Sequence, residues 1–282
     1  MLEVQGSQMR LFMLWAAAVP IVAPPSTTTN AVDIVQRSVM VLERDWQAAP
    51  EYSFVENDIE VKDGTRSQRK SAVIMIDASP YWMLLEENGK PLTREREANE
   101  RRKLAQQISV RRGQSTADRQ RRIAQYDKER RQDNALIREM TEALDFKLAG
   151  EETLHGHSVY VLQASPKPGY EPKSLETRVL TGMRGTLWVD RKSYQWVKVE
   201  AEVFRPVAFG LFIAKVQTGT RFSLEQSPVS DSVWLPSRFT MTVNASIFWW
   251  HKASTEDESF FAYRPARESL ELYAGSKLPP GR

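Results

Sequence analysis

Between residues 185 and 204 the chain reads G-T-L-W-V-D-R-K-S-Y-Q-W-V-K-V-E-A-E-V-F, two alternating runs on either side of a short polar turn. Val197, Val199, Ala201 and Val203 fall on one face, and Trp196, Lys198, Glu200 and Glu202 on the other, the period of two expected of a half-buried strand. In the preceding run Leu187 and Val189 share a face, so the segment predicts an antiparallel hairpin turning near Arg191-Lys192-Ser193. Runs of the same kind recur at Tyr52–Val61, Ser71–Asp77, Tyr81–Glu87, Phe146–Glu151 and Ser158–Ala164. They continue at Phe209–Val216 and Thr220–Gln226, read as a hairpin joined by Thr218-Gly219, then through Phe239, Met241, Val243 and Ala245, and end at Ser259–Tyr263. The total is about ten strands, which predicts one large antiparallel sheet with an apolar and a polar face.

Two stretches break this rhythm. Residues 31–48 place Ile34, Val35, Val39, Leu42 and Trp46 three to four apart, an amphipathic helix stopped at Ala49-Pro50. Residues 91–142 are dense in Arg, Glu, Gln and Ala, with Gly113 dividing two expected helices and few apolar positions: Leu104, Ile108, Ile123, Leu136, Ile137 and Met140. That sparseness predicts a solvated insertion, packed weakly on the body and dispensable for folding of the sheet. One amphipathic helix is then too little to cover ten strands, and an uncovered apolar face marks a ligand or partner site. Leu187, Val189, Val197, Val199, Ala201 and Val203 are the residues expected to line it.

Composition narrows the classes. The 282 residues carry a formal charge of +3, and the basic excess belongs to 91–142, where acidic residues are interspersed as on a solvated helix rather than a nucleic-acid surface. There is no cysteine, which excludes disulfides, thiolate metal sites, a cysteine nucleophile and a lipid-modified N-terminal cysteine. Behind Arg10, residues 11–23 are apolar throughout, the core of a secretory signal and too short to span a bilayer. The expected organisation is thus a signal peptide and linker at 1–31 and a single domain at 32–282 that contains the insertion. His155, His157 and His251 are the weak candidates for a metal, and the expectation is that none is bound. No nucleophile elbow, phosphate-binding loop or zinc-binding helix motif occurs, so neither catalysis nor a cofactor is expected.

Three segments, H-S-V-Y-V-L-Q-A-S-P-K (157–167), G-T-L-W-V-D-R-K-S-Y-Q-W-V-K-V-E (185–200) and W-L-P (234–236), resemble the LolA-like superfamily of outer-membrane lipoprotein-sorting proteins. The resemblance extends over roughly 32–90 and 143–265. It implies an α+β fold, a strongly curved half-open β-barrel covered by helices, and a periplasmic binding or carrier protein for lipid or lipoprotein acyl chains. It also leaves room for a sensor or scaffold whose groove takes an envelope protein partner, and for peripheral contact with a membrane. An outer-membrane β-barrel is the third reading. The charged insertion and the closing P-P-G-R, without a terminal aromatic residue, stand against it.

Overall fold

The computed structural model describes residues 30–275 apart from 175, 210–213 and 248–249, and leaves aside the side chains at 132–137, 176, 209, 214, 247 and 250–252. The expected signal segment lies outside the described residues, among which no helix is long and apolar enough to cross a membrane.

Helix α1 (Ala31–Ala48) starts where the Asn30 side chain accepts a hydrogen bond from the Val32 N–H at 3.1 Å, satisfying one of the donors every helix start leaves open. Its periodic residues Ile34, Val35 and Leu42 are buried, as the sequence predicts. A meander follows: β1 (Tyr52–Lys62), β2 (Thr65–Ile76), β3 (Ser79–Glu87) and the short β4 (Lys90–Pro91). The insertion forms α2 (Arg94–Arg112) and α3 (Thr116–Ala143), divided at Gly113. The chain then runs through β5 (Leu144–Leu154), β6 (His157–Pro166), β7 (Met183–Asp190) and β8 (Trp196–Val203). Two short strands, β9 (Val207–Phe209) and β10 (Ala214–Val216), precede β11 (Arg221–Pro228), β12 (Trp234–Ile247), β13 (Trp250–Pro265) and α4 (Ala266–Ala274).

All strands join one antiparallel sheet in the order β4-β3-β2-β1-β13-β12-β11-β8-β7-β6-β5, with β9 and β10 attached beside the end of β12. The path is open, with β4 and β5 at its edges. This is the expected α+β class, a large unclosed antiparallel sheet with helices. The first and last strands along the chain, β1 and β13, are neighbours and pair from Tyr52 with Pro265 to Lys62 with Ser254.

Directly paired residues share a face, so the registers trace rows across the sheet. One row runs Leu162, Leu187, Val199, Leu224, Phe239, Glu258, Asp58 and Arg69, and defines a front face. Its neighbour on the back runs Gln163, Thr186, Glu200, Ser223, Thr240 and Asp257. Helix α1 covers the front, laying Ile34, Val35 and Leu42 against Leu162, Leu187, Val189, Val199 and Val203, with Met140 and Ala143 from the end of α3 beside them. Helices α2 and α4 cover the back instead, over β2 and β3, where Leu104 and Ile108 meet Ala72, Ile74, Ile76 and Met83, flanked by Leu270 and Tyr273.

Three expectations change here. The insertion is not a weakly packed appendage: Leu104 is 1% exposed, and Arg111 donates to the carbonyls of Ile76 (3.0 Å), Ser79 (2.8 Å) and Pro80 (2.9 Å). Arg122 reaches the Asp77 carbonyl at 3.0 Å, so two guanidinium forks hold a turn whose Asp77 and Ala78 adopt positive φ. Of the expected strand 209–216, residues 210–213 lie outside the described residues, and the described parts belong to β9 and β10, which pair with each other and, for β10, with β12 rather than with β11. The Val203 N–H bonds to the Thr220 carbonyl at 2.7 Å, and β11 pairs directly with β8. The amphipathic helix α4, carrying Leu270 and Tyr273 at a spacing of three, lies beyond the last predicted element and supplies cover that the sequence reading did not count.

Candidate functional site

The six residues expected to line a cavity separate into three environments. Leu187, Val189, Val199 and Val203 are 0–4% exposed under α1 and form part of a closed core. Ala201 is half-buried at its margin. Val197 faces the other way. Leu187 pairs with Val199 and Trp188 with Lys198, but Val189 pairs with Trp196, so one extra residue stands in β8 and reverses the alternation. Trp196 therefore turns into the front core, and Val197 joins Val159, Trp234 and Trp188 on the back. Counting by twos cannot detect a bulge, and the expected placement of Val197 is corrected on that ground.

The lining residues expected from the sequence end at β8, whereas the apolar front continues past the edge of α1. Phe222 and Leu224 on β11 are half-buried and pack against the core cluster. Phe239 and Met241 on β12, paired with them, are half-buried as well. The helix is fastened over the closed part by polar ties. The buried Asp45 accepts from the Trp234 N–H at 3.1 Å and from Arg44 at 2.9 Å, and Arg138 from α3 meets Glu43 at 2.6 Å. Inside the core the indole Nε1 of Trp196, on a side chain 3% exposed, has no acceptor among the described residues. A buried donor without a partner costs about 1–3 kcal/mol.

The strip ends at carboxylates. Phe239 pairs with Glu258 and Met241 with Glu256, and Glu258 pairs with Asp58 of β1. Oxygens of Asp58, Glu256 and Glu258 lie within 4.8 Å of one another. Burial, then the neighbouring charges of Glu256, Glu56 and Asp58, push the Glu258 carboxyl up to about 7. Burial also raises Glu56, against the opposing effect of a 3.0 Å hydrogen bond from the Trp82 indole. Arg69 pairs with Asp58 at 3.8 Å, a single cation against the several carboxylates of the group. The chemical consequence is a proton held among crowded carboxylates near neutral pH. Residues 56–58 and 256–258 are brought together only by β1 pairing with β13, so no local pattern could have announced them.

Among the described side chains no histidine belongs to the group of carboxylates. His157 Nδ1 is 3.4 Å from Asp190, and its ring meets Trp234 edge-on at 4.8 Å between centroids. His155 occupies a turn position with φ of 52°, and the side chain of His251 lies outside the described residues.

On the back face a groove of about 770 Å³ crosses the strands. One wall carries Lys147, Gln163, Thr186, Glu200, Ser223 and Thr240, and the other Ser165, Arg184, Glu202 and Arg221. Its floor is the main chain between them, including Gly185, where a Cβ would stand 2.4 Å from the Glu200 carbonyl oxygen. Only glycine permits β7 and β8 to approach this closely.

No family model matches the chain, and no curated protein is similar to it in sequence. Several solved structures are similar at low identity. An outer membrane lipoprotein-sorting protein domain from Vibrio parahaemolyticus is 12% identical over 84% of this chain and 93% of its own, with a TM-score of 0.35. A LolA superfamily protein from Nitrosomonas europaea is 10% identical over 81% and 93%, with a TM-score of 0.29. MucB, in a complex with MucA, is 10% identical over 84% and 99%, with a TM-score of 0.23. At these scores no residue is carried across, and the fold stands on strand order and register.

Proposed function

We propose that the chain is a periplasmic binding or carrier protein, without catalytic activity, that takes up the acyl chains of a lipid or lipoprotein on the front face of its sheet. One observation supports this reading most: the apolar front does not stop where α1 stops, but continues half-exposed over Phe222, Leu224, Phe239 and Met241. These side chains offer a ready landing strip, and the closed core beneath α1 is the direction in which a longer chain would extend, by displacing the helix. The indole N–H of Trp196 is a donor available to an ester or amide carbonyl arriving there. Titration of a fluorescent fatty acid into protein purified without detergent tests the proposal. Saturable binding is expected, and its loss in Leu224→Asp and Phe239→Asp. No binding to the wild-type protein, or undiminished binding to both variants, would count against it.

A further inference from the structure

The back-face groove lies across the sheet from the acyl-chain strip and is built from different chemistry. Its carboxylates are already neutralised. Glu202 is 2.6 Å from Arg184, and Glu200 is 2.6 Å from Lys198 on the adjoining row. Lys147 and Arg221 are exposed, and among the described residues neither side chain has a hydrogen bond or an ion pair. The lining thus sets three cations, Lys147, Arg184 and Arg221, against two carboxylates, a small positive excess. Lys147 and Arg221, one towards each end, are the cations outside any ion pair among the described residues, although Arg221 stands opposite Glu202 and Lys198 is shared with Glu225 at 3.8 Å.

Between them the walls present Gln163, Ser165, Thr186, Ser223 and Thr240. Amide and hydroxyl groups both donate and accept, so they can serve either polar group of a peptide bond. Lys147 on β5 and Arg221 on β11 are separated by four strand spacings along the sheet order, about 19 Å at the usual interval. An extended polypeptide covers that distance in about six residues. The ring of Phe222 turns to the front, and none of the lining residues whose side chains face the groove is aromatic, which leaves no flat apolar platform for a sugar ring.

From these features we infer that the groove is a second binding site, one for an extended acidic peptide segment with carboxylates about six positions apart. Charge complementarity selects the partner: the segment's acidic ends meet Lys147 and Arg221, while its main chain lies along the amide and hydroxyl rungs. The two sites use opposite faces, Phe222 turning its ring to the front strip and lending the groove only its main chain, and a carrier could hold a protein partner there without releasing its cargo.

The test uses the full chain and a fluorescein-labelled peptide Asp-Glu-Gly-Ser-Gly-Ser-Asp-Glu, followed by fluorescence anisotropy at low ionic strength. Saturable binding is expected that weakens with added salt. Lys147→Glu combined with Arg221→Glu is expected to weaken it about tenfold or more, and the doubly neutralised Lys147→Gln, Arg221→Gln variant by a smaller factor. A control with the same change of net charge, Lys62→Glu with Lys192→Glu, is expected to leave binding within about twofold. Fatty-acid titration of every variant is expected to be unchanged, which keeps failure here separate from failure of the acyl-chain reading. The inference is overturned if the peptide does not bind, if the control weakens binding as much as the groove variant, or if an anionic oligogalacturonate binds in the groove and the peptide does not.

Discussion

Placing a carboxylate at Val199 and, separately, at its direct partner Leu224 distinguishes a closed core from an open strip within one pair of residues. Val199 is 4% exposed beneath α1, so Val199→Asp forfeits about 1.5–3 kcal/mol of apolar transfer. It also forces a carboxylate into a cluster of apolar side chains, at a further cost of several kcal/mol. The sum, about 5 kcal/mol or more, is comparable to the whole stability of many domains. Leu224 is only partly exposed, so Leu224→Asp loses most of its transfer term, about 1–2.5 kcal/mol, but its carboxylate reaches water and avoids the burial cost. Urea unfolding followed by tryptophan fluorescence measures both, since the chain has eight tryptophans, with Trp196 in the front core. The expected pattern is an unfolded or barely cooperative Val199→Asp and a two-state Leu224→Asp with a lowered midpoint. A folded Val199→Asp with near wild-type stability would show that α1 leaves the front readily in the free protein, and would refute the closed core.

Other outcomes follow from the same geometry. Because Glu258 is raised from 4.5 to about 7 in the folded chain, its favourable contribution is present below the unfolded value and lost as pH rises through 7. The full shift would be worth about 3 kcal/mol, and solvent screening at a half-exposed site reduces this to about 1–2 kcal/mol. Glu258→Gln should remove that decline between pH 5 and 8, and parallel profiles for the two proteins would rule it out. Leu104→Ala should cost about 2–4 kcal/mol in thermal or urea unfolding, whereas a solvated insertion would give almost nothing. Trp196→Phe removes the donor that lacks an acceptor and should leave stability unchanged or raise it by about 1 kcal/mol, while weakening fatty-acid binding. A large destabilisation would show that the indole N–H is hydrogen-bonded in the folded chain.

What the sequence made legible is what repeats locally. The stripe of Ile34, Val35 and Leu42 and the alternation through Leu187, Val189 and Val199 are set by backbone period alone, and both elements stand where the pattern puts them. Local pattern misjudged the insertion because two leucine-class side chains, Leu104 and Ile108, suffice to seal one helix when Arg111 and Arg122 add hydrogen bonds to a turn. Arginine reads as a surface residue in a composition count, yet its fork can anchor a helix. The bulge at Trp196 moved Val197 by a change in register that leaves no trace in residue type. The carboxylate group is legible only once β1 and β13 are known to pair, a contact spanning about two hundred positions of chain.

The two covers lie on opposite faces of a shared sheet, α1 in front over β5 to β8 and α2 with α4 behind over β2 and β3. The sheet thus works as a partition, and each apolar lane has its own closure. Lifting α1 to admit cargo would expose the front lane alone, and the protection of Ala72 and Ile74 behind would persist. Amide hydrogen exchange should accordingly resolve two opening events of unequal free energy instead of one. A protein built this way can open on one side while the other side keeps its strands in register.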